Sequence, residues 1–307
     1  MILNILFIVI GIVLVLWGAD RLTDGAVAVA EKMKMPQIVI GLTIVAMGTS
    51  MPEFCVSLIS ALKGTSDLAV GNIVGSNIFN TLLIVGVSAL VAPMSIMKTT
   101  VRKDIPFALV ASALLLIMCL DEDISRIDAA ILFVMFLIFM YITLRGAKAQ
   151  GTDLEKKEKK PMATWLSVVW ILVGLACLIG GSNLFVDGAT AVATKLGVSE
   201  AVIGLTIVAG GTSLPELATS VVSARKGNSG IAIGNVLGSN VFNILAILGL
   251  TGVISPMTLK GITMTDLSMM VISIILIWLF SFTKYKIERW EGAILTAVFV
   301  GYIYSLL

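Results

Sequence analysis

The chain has 307 residues, of which 58% are hydrophobic and 13% are charged, and its formal net charge is +2. A soluble globular domain carries about 25% charged residues, so this composition excludes a soluble protein and indicates an integral membrane protein. The sequence has no histidine, which removes the commonest metal ligand and proton shuttle. Its three cysteines, Cys55, Cys119 and Cys177, are isolated in apolar runs, so we expect no disulfide scaffold.

Taken in chain order, apolar runs of roughly 18 to 25 residues mark candidate transmembrane helices. The ten predicted spans are residues 2–30, 36–61, 69–92, 103–120, 126–145, 163–192, 198–223, 230–255, 262–281 and 289–306. The first run has no basic n-region, so we interpret it as a span and not as a signal peptide. With Arg21 set aside, the loops on one side carry sixteen Lys and Arg residues and those on the other side carry four. This bias predicts that both termini lie outside, and we expect the membrane to be the plasma membrane.

The two halves of the chain repeat one another. Residues 40–94 align with residues 203–257 without a gap, and 31 of the 55 positions are identical. Such self-similarity indicates a duplication. Because each half has an odd number of spans, the two copies must cross the membrane in opposite orientations. We therefore predict an all-α membrane protein whose ten transmembrane helices form two inverted five-helix repeats, residues 1–146 and 163–307, joined by a cytoplasmic linker at 147–162.

The repeated segments GTSMPE (48–53) and GTSLPE (211–216) combine a helix-breaking proline with polar side chains. Pro52 has no N–H and cannot bond the carbonyl four residues earlier, and Pro215 has the same effect in the second copy. Irregular backbone at membrane depth is tolerated only inside protein or beside a watery cavity. Thr49 and Ser50 precede Glu53 by four and three residues and therefore share a helix face with it.

The next span of each half, with the segments GNIVGSNIFN (71–80) and GNVLGSNVFN (234–243), adds a second polar face. Ser76 and Asn80 are four residues apart, as are Ser239 and Asn243, so each pair projects to one side of its helix.

Together the two halves offer a set of ligands made of oxygen alone. The side chains are Thr49, Ser50, Glu53, Ser76 and Asn80 in the first half and Thr212, Ser213, Glu216, Ser239 and Asn243 in the second. Such a set suits a hard cation: Ca²⁺ takes about 6–8 oxygens, the same oxygens suit Na⁺, and zinc, copper and iron are disfavoured. A charge at the bilayer centre costs ~2.5–3.5 kcal/mol, so two repeated carboxylates favour a binding role over a packing role.

These motifs resemble the two alpha repeats of the sodium/calcium exchanger family, within the cation/calcium exchanger superfamily. The resemblance covers the whole chain, and the GTS-P-E form is similar to the sodium-coupled branch. It implies exchange of Na⁺ for Ca²⁺ by alternating access, with the first and sixth spans sliding across the other eight. It also implies that the side chains named above bind the ions and that Ala46 and Ala209 add backbone carbonyls.

One position departs from the family pattern. Sodium/calcium exchangers often have an aspartate where this chain has Asn243, opposite an asparagine that corresponds to Asn80. With Asn at both positions, the site has only the charges of Glu53 and Glu216, which one Ca²⁺ neutralises. Three Na⁺ would leave a net charge of +1, whereas two Na⁺ or two protons balance the glutamates. A Ca²⁺/H⁺ antiporter is therefore the alternative interpretation.

Other classes of protein fit less well. A hydrolase could use two facing acids as acid and base, but it would not need duplicated hydroxyls, so we do not expect an enzyme. Channel filters usually form rings across subunits, and no nucleotide-binding motif points to an ATP-driven pump. The expected partners are Ca²⁺ and Na⁺ as substrates and the lipid bilayer, with no cofactor, nucleotide or nucleic acid.

Overall fold

A computed structural model describes residues 2–149, 162–197, 209–259 and 261–306, and this part of the chain is mostly helical. The helices are α1 (Ile2–Met33), α2 (Gln37–Thr49), α3 (Met51–Leu62), α4 (Ser66–Val91), α5 (Thr100–Asp121), α6 (Arg126–Ala149), α7 (Thr164–Lys195), α8 (Ala209–Thr212), α9 (Leu214–Arg225), α10 (Ser229–Ile254), α11 (Met264–Ser281) and α12 (Arg289–Leu306). The strands are β1 (Met94–Ser95), β2 (Asp123–Ile124), β3 (Met257–Thr258) and β4 (Lys286–Ile287).

Within the described residues, seven helices are long and apolar enough to cross a membrane, or eight if the bent pair α2 and α3 forms one span. The protein is therefore an integral membrane protein. Helix α12 lies where the tenth span is predicted but is not among these helices. The predicted span 198–223 starts outside the described residues, as does most of the predicted linker, residues 150–161; α6 continues to Ala149.

The repeated proline motifs begin new helices. Helix α2 ends at Thr49, Ser50 leaves helical geometry with ψ 9°, and α3 restarts with Pro52 in its first turn at a bend of 48°. The second copy is the same: Ser213 has ψ 8°, and Pro215 lies in the first turn of α9. Proline is tolerated there because the first N–H groups of a helix have no intrahelical partner. The break thus falls at the serine, two residues before the proline.

Helices α1 and α7 pack antiparallel through glycines spaced seven residues apart in each helix. A Cβ added at Gly11 would lie 2.7 Å from the carbonyl oxygen of Gly181, and one at Gly18 would lie 2.8 Å from that of Gly174. The outer contacts, of Gly25 with the carbonyl oxygen of Ser167 and of Gly188 with that of Asn4, are equally close at 2.7 Å. Because only glycine allows two helix backbones to touch in this way, this glycine seam joins α1 and α7 as one unit.

Two short ladders tie the halves together. Strand β1 pairs antiparallel with β4, and β2 pairs antiparallel with β3. Because β1 precedes α5 and β2 follows it, the two ladders lie at opposite ends of α5. Helix α4 ends beside β1, and its repeat counterpart α10 ends beside β3. The carboxyl ends of these equivalent helices therefore lie at opposite ends of α5.

An ion cluster joins α1 to the end of α9. The ammonium group of Lys226 lies 2.6 Å from a carboxylate oxygen of Asp20 and 2.8 Å from one of Asp24. Arg21 pairs with Asp20, and its guanidinium lies over the ring of Trp170 at 5.2 Å. The charged side chains are about one third exposed, so we expect each pair to stabilise the fold only modestly.

The glycine seam predicts that two substitutions in α7 differ strongly in their effect on stability. In the Gly174→Ala variant the new Cβ would lie 2.7 Å from the backbone nitrogen of Leu22 and 2.8 Å from the carbonyl oxygen of Gly18. We expect this clash to cost about 1–3 kcal/mol. Gly180 is exposed and meets no described residue, so Gly180→Ala should be neutral or stabilising because alanine favours helix.

The measurement is the thermal unfolding midpoint of each purified variant in detergent. Equal midpoints for Gly174→Ala and Gly180→Ala would contradict direct backbone packing of α1 on α7.

Candidate cation site

The two repeats meet at a pair of buried glutamates. Glu53 and Glu216 are each 1% exposed, although each is in the first turn of a helix. Ser50 Oγ donates to Glu216 Oε1 at 2.8 Å, and Ser213 Oγ donates to Glu53 Oε1 at 2.9 Å. The serine at each helix break thus bonds the carboxylate of the opposite repeat. The structure brings the four predicted residues together in a crossed arrangement.

The remaining predicted hydroxyls surround this pair. Ser213 Oγ lies 3.2 Å from Ser76 Oγ, and Ser239 Oγ lies 3.5 Å from Glu216 Oε1. The side chain of Thr49 lies against Glu216, and that of Thr212 lies against Glu53. All six predicted Ser and Thr side chains therefore belong to one polar cluster between the halves.

Two asparagines that the sequence analysis missed hold the glutamate helices in place. Asn72 Nδ2 donates to the backbone oxygen of Glu53 at 3.2 Å and to Ser57 Oγ at 3.0 Å. Asn235, 163 residues later, repeats both bonds, to the backbone oxygen of Glu216 at 3.3 Å and to Ser220 Oγ at 3.0 Å. Its Oδ1 also accepts a hydrogen bond from Thr49 Oγ1. The repeated Gly-Asn at the start of each GN--GSN-FN block is the signal that could have identified them.

Asn80 and Asn243 each bond an asparagine of the opposite repeat. Each lies in a π-helical turn, Phe79–Ile84 in α4 and Phe242–Leu248 in α10, a rare geometry that is frequent at functional sites. Asn80 Nδ2 donates to Asn240 Oδ1 at 3.1 Å, and Asn243 Nδ2 donates to Asn77 Oδ1 at 3.0 Å. Asn77 and Asn240 are thus further polar residues of this region, and they come from the repeated Ser-Asn of the same block.

Ala46 and Ala209 are the predicted backbone ligands. The carbonyl oxygen of Ala46 accepts from Ser50 N at 3.0 Å. Thr49 Oγ1 lies 3.3 Å from the same oxygen but nearer to Asn235 Oδ1, at 3.0 Å, and has one hydrogen to donate. Ala209 lies in α8, next to residues outside the described part of the chain.

Among the buried side-chain oxygens that have no hydrogen-bond partner in the described residues, four belong to the predicted ligands, two from each repeat. They are Glu53 Oε2, Asn80 Oδ1, Glu216 Oε2 and Asn243 Oδ1. An unpaired buried polar atom costs roughly 1–3 kcal/mol, so four at symmetry-related positions indicate a missing positive partner. Within the described residues, no three His, Cys, Asp or Glu side chains form a metal-binding group. Two carboxylates with neutral oxygens instead match a hard cation.

Comparisons with known proteins agree with this chemistry. The sodium/calcium exchanger protein family matches residues 3–145 and 166–307. The inner membrane protein YrbG of Escherichia coli (strain K12) is 37% identical over 316 residues, covering 100% of this chain and 97% of that protein. The sodium/calcium exchanger MaX1 of Methanosarcina acetivorans is 32% identical over 344 residues, covering 99% of this chain and 98% of that protein. A structure of the sodium-calcium exchanger NCX_Mj, soaked with 10 mM Na⁺ and 10 mM Sr²⁺, superposes with a TM-score of 0.88 at 31% identity, covering 100% of this chain and 99% of that one.

Proposed function

The chain belongs to the sodium/calcium exchanger protein family, and we propose that it is a secondary active antiporter that exchanges Ca²⁺ for Na⁺ by alternating access. The family makes it an exchanger of Ca²⁺ and another cation, which is a transporter and not an enzyme. The observation that carries the proposal is the set of four unpartnered buried oxygens where the repeats cross. A transported cation supplies the positive charge that these oxygens lack.

The charge of the site favours a divalent cation as one substrate. Glu53 and Glu216 are the carboxylates of the polar cluster, and each keeps one oxygen free while the other is bonded by a serine. One Ca²⁺ neutralises two carboxylates, and the amide and hydroxyl oxygens complete a shell of the size that Ca²⁺ takes. We therefore assign ion-binding roles to the ten predicted polar side chains, and to the backbone oxygens of Ala46 and Ala209 once the helix breaks rearrange.

We further propose that ten transmembrane helices form two inverted five-helix repeats, with both termini outside the plasma membrane and a cytoplasmic linker at 147–162. The opposite ends reached by α4 and α10 support inverted copies. The hydrogen bonds of Asn72 and Asn235, repeated at an offset of 163 residues, support a two-fold relation between them.

Sodium is the counter-ion that the site supports best. Thr49, Ser50, Thr212 and Ser213 surround the glutamates with hydroxyl oxygens, which two proton-binding carboxylates would not need. MaX1 and NCX_Mj are named sodium/calcium exchangers. Because Asn243 is neutral, the site has the negative charge of two glutamates. Two Na⁺ neutralise this charge, and two protons would do so in a Ca²⁺/H⁺ antiporter. Proton coupling is therefore the specific alternative that the coupling experiment addresses.

Neutralising either carboxylate should abolish exchange. Glu53→Gln or Glu216→Gln removes half of the formal charge, and we expect Ca²⁺ binding to weaken by about 2–3 kcal/mol, or roughly 30- to 150-fold. The measurement is ⁴⁵Ca²⁺ uptake into proteoliposomes under an opposing Na⁺ gradient. The matched control is Glu291→Gln, because Glu291 is also fully buried but caps α12 by accepting from the backbone N–H of Glu288 at 2.7 Å. Near-normal uptake by either site variant would refute the assignment.

Sodium coupling predicts a specific pattern of gradients. Proteoliposomes loaded with Na⁺ and diluted into Na⁺-free medium should accumulate ⁴⁵Ca²⁺, whereas a pH gradient with equal Na⁺ on both sides should drive little uptake. Choline-loaded vesicles are the control for leak. Uptake that follows the pH gradient and ignores Na⁺ would replace sodium coupling with proton coupling while leaving the Ca²⁺ site intact.

The inverted topology predicts labelling from opposite sides. In a background without Cys55, Cys119 and Cys177, a cysteine at Lys63 should react with a membrane-impermeant maleimide from outside. A cysteine at Arg225 should react only after the inner face is opened. Labelling of both positions from the same side would show that the two copies are not inverted.

A further inference from the structure

Five buried polar side chains form a hydrogen-bond network at the contact between α4 and α10. Ion binding does not account for all of them. They are Asn77, Asn80, Thr81, Asn240 and Asn243, each no more than 1% exposed. Only Asn80 and Asn243 belong to the proposed ligand set. The network joins both repeats, since every one of its side-chain amides bonds to a residue of the opposite half.

A backbone carbonyl fixes the orientation of the first pair of side-chain amides, those of Asn77 and Asn243. Asn77 Nδ2 donates to the backbone oxygen of Asn240 at 3.2 Å. A carbonyl oxygen can only accept, so the NH₂ group of Asn77 must face it and Asn77 Oδ1 must face the other way. That oxygen accepts from Asn243 Nδ2 at 3.0 Å. The second atom of this amide, Asn243 Oδ1, is then the one left buried and unpartnered.

The orientation of the second pair of amides, Asn240 and Asn80, is fixed through the hydroxyl group of Thr81. Thr81 Oγ1 donates its single hydrogen to the backbone oxygen of Asn77 at 2.6 Å. It can therefore only accept from Asn240 Nδ2, which lies 2.7 Å away. Asn240 Oδ1 then accepts from Asn80 Nδ2 at 3.1 Å, and Asn80 Oδ1 remains unpartnered. The repeat counterpart of Thr81 is Ile244, so only this side uses a hydroxyl.

The two ends of an asparagine amide have nearly the same size, so packing cannot choose which end faces a cation. Hydrogen-bond direction can choose, because it starts at backbone carbonyls that never donate. We propose that Asn77, Asn240 and Thr81 are positioning residues, which hold Asn80 and Asn243 with the oxygen and not the NH₂ group presented to the transported cation. This inference rests on the proposed function, since it needs a cation at the unpartnered oxygens.

Losing this control should weaken ion binding without preventing transport. If the side-chain amides of Asn240 and Asn80 can both flip by 180°, Asn80 presents its NH₂ group to the cation in a fraction of the molecules. Apparent affinity then falls in proportion to the fraction that remains competent. The effect should appear in the KM for Ca²⁺, whereas a residue that only stabilises the fold changes the amount of active protein and hence the Vmax.

The experiment compares substitutions at Thr81, which is near the ions but is not a proposed ligand. Thr81→Val has the same shape and removes only the hydroxyl, and we expect it to raise the KM for Ca²⁺ about three- to tenfold at a similar Vmax per folded protein. Thr81→Ser restores the hydroxyl and should return the KM towards that of the parent. The matched control is Thr251→Val, because Thr251 is also fully buried and its hydroxyl has no partner among the described residues.

Initial rates of ⁴⁵Ca²⁺ uptake at varied Ca²⁺ give KM and Vmax, and the unfolding midpoint in Ca²⁺-free buffer gives stability. An unchanged KM for Thr81→Val, or a lower Vmax and midpoint at constant KM, would overturn the positioning role. If Thr81→Val does not fold, Thr81→Ala removes the hydroxyl without the β-branched bulk and is read in the same way. Parent vesicles that take up no Ca²⁺ under any gradient would refute the proposed function itself, and the positioning role with it.

Discussion

The structure depends on one reciprocal contact: the carboxylate of each repeat is bonded by the serine of the other. Glu53 and Glu216 are buried in the interior of a membrane protein, where an uncompensated charge is costly. The shorter serine bond to each glutamate comes from the opposite repeat, at 2.8 Å for Glu216 and 2.9 Å for Glu53. The two halves must therefore cross at this point, and the site exists only when both are folded together.

The helix breaks follow from that contact. At the bend, Ser50 Oγ bonds Glu216 of the opposite repeat while Glu53 lies in the first turn of the new helix. The π-helical turns that contain Asn80 and Asn243 are a second departure from regular helix at the same junction. Such irregular backbone is tolerated at membrane depth because it is enclosed by protein.

The glycine seam makes helices α1 and α7 a unit separate from the helices that carry the candidate site. Helices α1 and α7 touch through their backbones at the glycines, and Trp17 of α1 packs against Trp170 of α7. A pair joined in this way can move as one body against its neighbours, which is the motion that the proposed alternating access requires. The ion cluster between Lys226 and the carboxylates of α1 is a polar contact of this pair with α9, and being partly exposed it can be broken at modest cost.

The sequence alone was sufficient for the membrane class, the duplication and most polar residues of the candidate site. These depend on composition and on letters that recur at one offset, and a carboxylate repeated within apolar spans has few explanations other than binding. Tertiary structure alone decided how these residues are used. The sequence analysis missed Asn72, Asn77 and their counterparts, because hydrogen bonds between residues about 160 positions apart leave no local pattern. The contacts between glycines of α1 and α7 likewise form only when the two helices meet in the folded protein. The orientation of the Asn80 and Asn243 amides also depends on the folded protein, because the oxygen and the NH₂ group have nearly equal size and only hydrogen bonds that start at backbone carbonyls distinguish them.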